Sequence, residues 1–472
     1  MMTTILTVAE VTYLVVLSGW ILLEKRSPVA TVAWILALAA LPFVGLVLFY
    51  FLGPRHLFRK RSKHMAARAK VRAQLRERLS IHDDDLELRQ HMRLVYEAGG
   101  DPPAIARGVR LLTRADECYD AMHAAIAAAA HHVHITLYIL EPGVAGDRLR
   151  ESLIAAAGRG VQVRLLLDAV GSNRANRGWL RPMRRAGVEI AFFNAVGFRR
   201  VRAPINFRNH RKIIVCDGHV GFTGGYNVCD DYIATPGAKK PPWHDTHVKV
   251  EGEIVRWLQL SFLDDWQYTV GAAPSGPEYL PPPRGERTGD AMIAQAVPGG
   301  PDQLREPVRN VYFAALGHAR QRAWMTMAYF VPDEPTLAAL KTASLRGVDV
   351  RVLVPRDGDS RVVSAATRSY YEELTQCGVK IYEFLPTMHH GKTMLIDEDM
   401  AIVGSANFDA RSFRLNFELM LVFYDARMNA QLATLFERDL GESERVSGRE
   451  PKLLGVTTRV SEAAARVLSP IL

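Results

Sequence analysis

Apolar positions along this chain follow two regimes. Residues 5–23 form an apolar run interrupted only by Glu10, and residues 28–53 form another with no charge, separated by the turn Glu24-Lys25-Arg26. Each is long enough to cross the roughly 30 Å hydrocarbon core as a helix. Neither has a polar face, the first lacks a basic leader, and the second follows at once, so the pattern predicts a transmembrane hairpin over residues 1–53 rather than a cleaved signal. Pro42 is tolerated in such a helix. Beyond residue 95 short apolar strands alternate with helices, and the pattern repeats. Residues 156–167 (AAGRGVQVRLLL) match 343–354 (ASLRGVDVRVLV), 134–138 parallel 325–329, and 186–190 parallel 377–381. Continuous apolar strands between helices are buried on both faces, so each copy predicts an α/β lobe. The expected order is the hairpin (1–53), a basic juxtamembrane linker (54–95), a first lobe (96–273), a Pro-rich linker (274–287) and a second lobe with a C-terminal tail (288–472).

Composition changes this picture little, but charge does. At 48% hydrophobic and 23% charged residues the chain is ordinary for a globular protein, which excludes wholesale disorder. The net charge of +9 is concentrated: from Arg55 to Arg78 ten Lys/Arg meet one acid, Glu77, and the remainder sums to zero. A protein that coats nucleic acid spreads its cations over the folded body, so no nucleic-acid partner is expected. The basic run instead places residues 54 onward in the cytoplasm by the positive-inside rule. It also attracts anionic lipid, at about 1 kcal/mol per cation near the surface. Four scattered cysteines (Cys118, Cys216, Cys229, Cys377) with no CxxC pair predict reduced thiols.

The candidate chemistry occurs twice at equal spacing. His210-x-Lys212 with Asp217 is followed by Asn227 in Gly224-Gly225-Tyr226-Asn227; His390-x-Lys392 with Asp397 is followed by Asn407 in Gly404-Ser405-Ala406-Asn407. On a strand, positions i and i+2 share a face, so each His points with its Lys. Asp217 and Asp397 complete the candidate catalytic set, yet seven positions on the parity flips, so they are expected to point away and to hold the strand end. Two lysines, Asn227, Asn407 and the Ser405 turn converging on one point describe a site for a phosphodiester anion. One histidine there can attack phosphorus while the other protonates the leaving alkoxide. Metal ligation by His210 and His390 is disfavoured, because each is paired with a cation.

These paired motifs resemble the phospholipase D superfamily, and the wider sequence resembles its bacterial cardiolipin synthases. The wider likeness lies in Ala33-Trp34, the run from Asn206 to Lys212, Ala328-Tyr329-Phe330-Val331-Pro332-Asp333, and the segment from Gly404 through Glu418. The resemblance implies two lobes that face each other over one active site. His210 would form a phosphohistidine, His390 would act as acid and then base, and Asp245 and Glu418 would orient the two imidazoles. His244 stands where the superfamily commonly carries Arg, and His389 adjoins His390. The implied reaction joins two phosphatidylglycerols into cardiolipin and glycerol, without metal or other cofactor, at the bacterial cytoplasmic (inner) membrane, in a multi-pass protein whose catalytic body faces the cytoplasm. The alternative is a phospholipase D that transfers to water or another alcohol.

Overall fold

A computed structural model describes residues 2–23, 28–41, 45, 86–194, 206–234, 241–283, 289–447 and 455–472. The basic run 55–78 and part of the Pro-rich linker lie outside the described residues. The chain divides into two units, and each is taken by itself.

The first unit contains helix α1 (Met2–Leu23) and helix α2 (Pro28–Ala40). They pack through Ile21 and Leu38, with Tyr13, Leu17, Trp34 and Ile35 around them. Val15, Val16, Leu22, Leu23 and Leu36 point outward and are exposed. Among the described residues no helix is long and apolar enough to cross a membrane. Of the second span, expected to run to residue 53, Pro28–Ala40 and Gly45 are helical, and residues 42–44 and 46–53 lie outside the described residues.

The second unit is built on one sheet. Its strands in the first lobe are β1 (Ala104–Leu112), β2 (His132–Leu137), β3 (Gln162–Asp168), β4 (Glu189–Phe193), β5 (Ile213–Cys216), β6 (Val220–Gly224) and β7 (His247–Gly252). The second lobe supplies β8 (Met292–Gly299), β9 (Arg322–Met327), β10 (Phe330–Val331), β11 (Asp349–Pro355), β12 (Lys380–Phe384), β13 (Lys392–Ile396), β14 (Met400–Gly404), β15 (Phe408–Asp409), β16 (Glu418–Tyr424) and β17 (Ser443–Arg445). Fifteen of these form a continuous sheet in the order β17-β12-β11-β9-β13-β14-β16-β8-β1-β7-β6-β5-β2-β3-β4, while β10 and β15 pair separately. Read outward from the β8–β1 junction, both halves have the same order. β1 corresponds to β8, β7 to β16, β6 to β14, β5 to β13, β2 to β9, β3 to β11 and β4 to β12. The repeat seen in sequence is thus a pseudo-two-fold about the antiparallel pairing of Ala104 with Ala294 and Ala106 with Met292.

Helices cover both faces, as buried apolar strands require. The second lobe has its own core around Met325, Val352 and Ile402, and the first lobe another around Ile135, Leu165 and Ile214. A third core crosses the junction, joining Val248 and Trp257 to Leu421, Phe423 and Met428. Burying each such side chain contributes about 1.5–3 kcal/mol, so the lobes are held by apolar surface as well as by strand pairing. Arg211 adds a polar tie across them. Its Nη1 donates to Asp265 Oδ1 (2.8 Å), its Nε to the Glu418 carbonyl (2.9 Å) and its Nη2 to the Gly299 carbonyl (2.9 Å).

One segment assigned elsewhere by sequence, and the tail expected at the end of the second lobe, pack on that lobe. Helix α3 (Leu86–Ala98), most of which falls within the expected linker, packs Leu88, Met92 and Val95 against Val308, Val311 and Tyr312. The tail helix α4 (Val456–Val467) docks Ala465 into the same core, and Arg466 Nη1 donates to the Ser369 carbonyl (3.1 Å). The four cysteines are free thiols.

Candidate active site

Both motif histidines sit just before equivalent strands, β5 and β13, and the pseudo-symmetry sends each across the lobe boundary. The backbone N–H of His210 donates to the Phe417 carbonyl (2.9 Å), and that of His390 donates to the His244 carbonyl. These contacts belong to two short parallel pairings, Asn209 with Phe417 and His244 with His389. The next residue after each acceptor is the carboxylate: Glu418 opens β16, and Asp245 precedes its equivalent β7. His210 Nδ1 therefore lies 3.1 Å from Glu418 Oε2, and His390 Nδ1 lies 2.6 Å from Asp245 Oδ2. Each imidazole is oriented by the opposite lobe. With Nδ1–H directed at a carboxylate, Nε2 of each ring keeps its lone pair for chemistry.

The carboxylates are themselves held. Glu418 Oε2 accepts from Ser405 Oγ (2.5 Å), and Oε1 accepts from Ser412 Oγ (3.1 Å) and Asn416 Nδ2 (3.3 Å). Asp245 Oδ1 accepts from the Thr246 N–H (2.7 Å). A Cβ at Gly225 would stand 1.9 Å from Asp245 Oδ1, so this turn needs glycine where the second lobe has Ser405. Burial would raise the pKa of both acids, but both end below the usual carboxylate range. At Glu418 the His210 and Lys212 charges prevail, and at Asp245 those of His390 and Lys392.

Lys212 and Lys392 are 1% exposed, and their ammonium groups donate to the carbonyls of His210 and His390. Burial brings Lys212 down to about 7, with Lys392 pushing the same way against Glu418. Burial also brings Lys392 down to about 8 against the pull of Asp245 and Glu418. Burial, then Lys392, lowers His390 to about 3; His210 is lowered by burial while Glu418 opposes. Two buried lysines beside the two histidines give the site donors suited to the oxygens of a phosphodiester.

Comparison with known proteins agrees with this geometry. The family described as "Cardiolipin synthase, PLD-like domain" matches residues 122–234 and 312–440, one segment in each lobe. A cardiolipin synthase of Geobacillus kaustophilus (strain HTA426) is 38% identical over 457 residues, covering 95% of this chain and 90% of that protein. The chain belongs to the cardiolipin synthase family. Cardiolipin synthase 1 of Bacillus anthracis is 36% identical over 468 residues, covering 96% of this chain and 91% of that protein. Residues 12–54 match the family described as "Phospholipase_D-nuclease N-terminal". Among solved structures, phosphatidylserine synthase of Haemophilus influenzae Rd KW20 shares the two-lobed fold. It has a TM-score of 0.58 at 14% identity, covering 81% of this chain and all of that one.

Within this cardiolipin synthase fold the remaining expected site residues separate. Asn227 and Asn407 are buried beside the motifs; Asn227 Oδ1 accepts from the Ile139 N–H (3.1 Å), while Asn407 Oδ1 has no hydrogen-bond partner. The Ser405 backbone N–H, expected as a donor to phosphate, donates to the Leu419 carbonyl (2.9 Å), and its hydroxyl donates to Glu418. Asp217 and Asp397 also depart from the catalytic set. Both have positive φ (53° and 46°) in the turns after β5 and β13, a conformation Asp tolerates. Asp217 accepts from the N–H groups of Ala130, His131 and His132, and Asp397 from those of Arg320, Gln321 and Arg322. They fasten the starts of β2 and β9, as the flipped parity requires. Asp217→Ala is expected to lower thermal stability by about 2–4 kcal/mol, the cost of several unmet backbone donors. Activity per folded molecule should change less than about threefold, since no contact to His210 is lost. Thermal unfolding and kcat measured on one preparation check this; a kcat loss without a stability loss would return Asp217 to the catalytic set.

His244, His389 and Asp439 place ligand-type atoms within 4.8 Å of one another. The Gly391 N–H donates to His389 Nδ1 (3.2 Å), so the ring's proton sits on Nε2 and is shared with Asp439 Oδ2 (3.0 Å). With neither ring lone pair free, His389 does not fit a metal, and the group is a clamp behind His390. Sequence reasoning passed over the aromatic neighbours. Tyr232 places its hydroxyl 3.0 Å from His390 Nδ1, and the Tyr138 ring stands 4.7 Å from that of His210. A signal existed: Tyr232 and Ser412 each lie five residues after a motif asparagine, and each reaches the nearby His–carboxylate pair.

Proposed function

We propose that this protein transfers the phosphatidyl group of one phosphatidylglycerol to a second, making cardiolipin and glycerol. The observation that carries the reading is the crossing of the two His–carboxylate pairs between lobes, around two lysines, in a member of the cardiolipin synthase family. His210 Nε2 attacks phosphorus, the P–O bond to the glycerol headgroup breaks, and the departing oxygen takes a proton from His390. A headgroup hydroxyl of the second lipid then gives its proton to His390, its oxygen bonds to phosphorus, and the P–N bond returns its electrons to His210. Lys212, Lys392, Asn227 and Asn407 balance the charge on the phosphoryl oxygens. In the free site His390 is neutral at pH 7; the docking phosphodiester anion offsets Lys392 and lets it carry the proton it donates.

The helices α1 and α2 form a hairpin in the cytoplasmic membrane, with the catalytic body on the cytoplasmic side. The exposed apolar side chains of both helices and the basic run after residue 54 support this placement. Anchoring keeps two lipid substrates within reach and offsets the entropy of bringing them together. Purified protein supplied with phosphatidylglycerol alone is expected to make cardiolipin and free glycerol in equal amounts. Phosphatidic acid in place of cardiolipin would establish a hydrolase.

A further inference from the structure

Arg208 is a buried cation with no part in the chemistry above. It is 4% exposed, as buried as His210 at 7% and His390 at 5%. Its Nη1 stands 3.5 Å from Asp168 Oδ1, too long for a good hydrogen bond, and Nε, Nη1 and Nη2 all lack a hydrogen-bond partner. Asp168 is engaged with the backbone: Oδ1 accepts from the N–H groups of Val170 (2.9 Å) and Gly171 (3.0 Å), and Oδ2 from that of Asn209 (2.9 Å). A buried guanidinium with unmet donors is costly. It becomes favourable when a ligand brings oxygens to it, and its planar fork suits a phosphate.

Its direction follows from the chain. Residues 207–210 run beside Phe417, whose N–H donates to the Arg208 carbonyl (2.9 Å) and whose carbonyl accepts from His210. In such an extended segment Asn209 faces one way, its amide on Asp265 Oδ2 (2.9 Å), and Arg208 and His210 face the other. Tyr138, whose phenol burial pushes up, feels the Arg208 charge in the opposite sense while its ring touches His210.

Pseudo-symmetry sets this cation apart. The groups around the reacting phosphate come in pairs, one per lobe. Arg208 corresponds to Met388, and Asp168, last residue of β3, corresponds to Pro355, last residue of β11. The proposed reaction has the same asymmetry: donor and acceptor each bring a phosphodiester, and only the donor's reacts. We propose that Arg208 receives the unreacting phosphodiester of the acceptor lipid, and so selects an anionic phospholipid over water or a simple alcohol. This inference rests on the transfer reaction above.

Two acceptors separate the possible sources of the phosphate. One assay follows cardiolipin formation from phosphatidylglycerol alone; the other follows labelled glycerol exchanging into phosphatidylglycerol, where the acceptor carries no phosphate. In Arg208→Gln the ratio of cardiolipin formation to glycerol exchange is expected to fall about tenfold or more, the loss of a charge-assisted contact. Arg208→Lys should recover part of the ratio, and Arg208→Met, the side chain used by the second lobe, should behave as Gln. An unchanged ratio, including a parallel fall in both activities, overturns the proposal by assigning Arg208 to the reacting phosphate or to the fold. Wild-type protein that exchanges glycerol yet makes no cardiolipin would instead remove the transfer reading, whatever Arg208 does.

Discussion

His210→Ala is expected to abolish transfer of acyl-labelled phosphatidyl from phosphatidylglycerol onto the protein, and to cut turnover by about 10⁴-fold or more. Without that imidazole the P–N bond of the proposed intermediate cannot form, since His390 is assigned to the leaving-group side and the Lys212 ammonium is held on the His210 carbonyl. His390→Ala should reduce turnover comparably but still label slowly, because attack can precede full protonation of a glycerol leaving group. Labelling is read on gels quenched at alkaline pH, where a phosphohistidine survives. The charges around the rings make the comparison informative. Lys392 follows burial in lowering His390 to about 3, whereas at His210 Glu418 acts ahead of Lys212 in the opposite direction. His390 thus depends on the substrate's own negative charge to hold a proton. Labelling in His210→Ala but not in His390→Ala would exchange the two roles.

Much of this site is readable from spacing alone, for a geometric reason. A two-residue step on a strand places His with Lys wherever the strand lies, so His210/Lys212 and His390/Lys392 follow from the pattern. The same parity turns Asp217 and Asp397 away, onto the backbone of the strand starts they fasten. From sequence the Ser405 turn is expected to offer its backbone N–H to a phosphate, as small-residue turns can; only the fold shows that N–H on the Leu419 carbonyl and Glu418 2.5 Å from the hydroxyl. Which carboxylate serves which histidine could not be read locally either. That depends on the β1–β8 junction and on Asn209 and His389 each pairing with a segment of the other lobe, contacts separated by up to 208 residues. Arg208 lay within a run chosen for its likeness to a family, yet its unmet donors become visible only once its surroundings are packed.

The crossing of the dyads yields the second large effect. Glu418→Gln and Asp245→Asn are each expected to lower kcat by about 10²–10⁴-fold, as when an amide replaces the carboxylate behind a catalytic imidazole. An amide can donate to Nδ1 where the acid only accepts. The ring then carries its proton on Nε2, and the lone pair that faces phosphorus is lost. Consequences for the intermediate should differ between the two. Glu418 lies in the second lobe but orients His210, so Glu418→Gln should block labelling, as His210→Ala does. Asp245 lies in the first lobe but orients His390, so Asp245→Asn should label and then stall. A lesion in one lobe would thereby silence the imidazole of the other. Labelled intermediate accumulating in Glu418→Gln, with none in Asp245→Asn, would show each carboxylate serving its own lobe's histidine and would contradict the crossed arrangement. Unfolding temperatures near that of the unaltered protein confirm that the loss is chemical. Ser412 and Asn416 remain to hold a glutamine at 418, and the Thr246 N–H remains to hold an asparagine at 245.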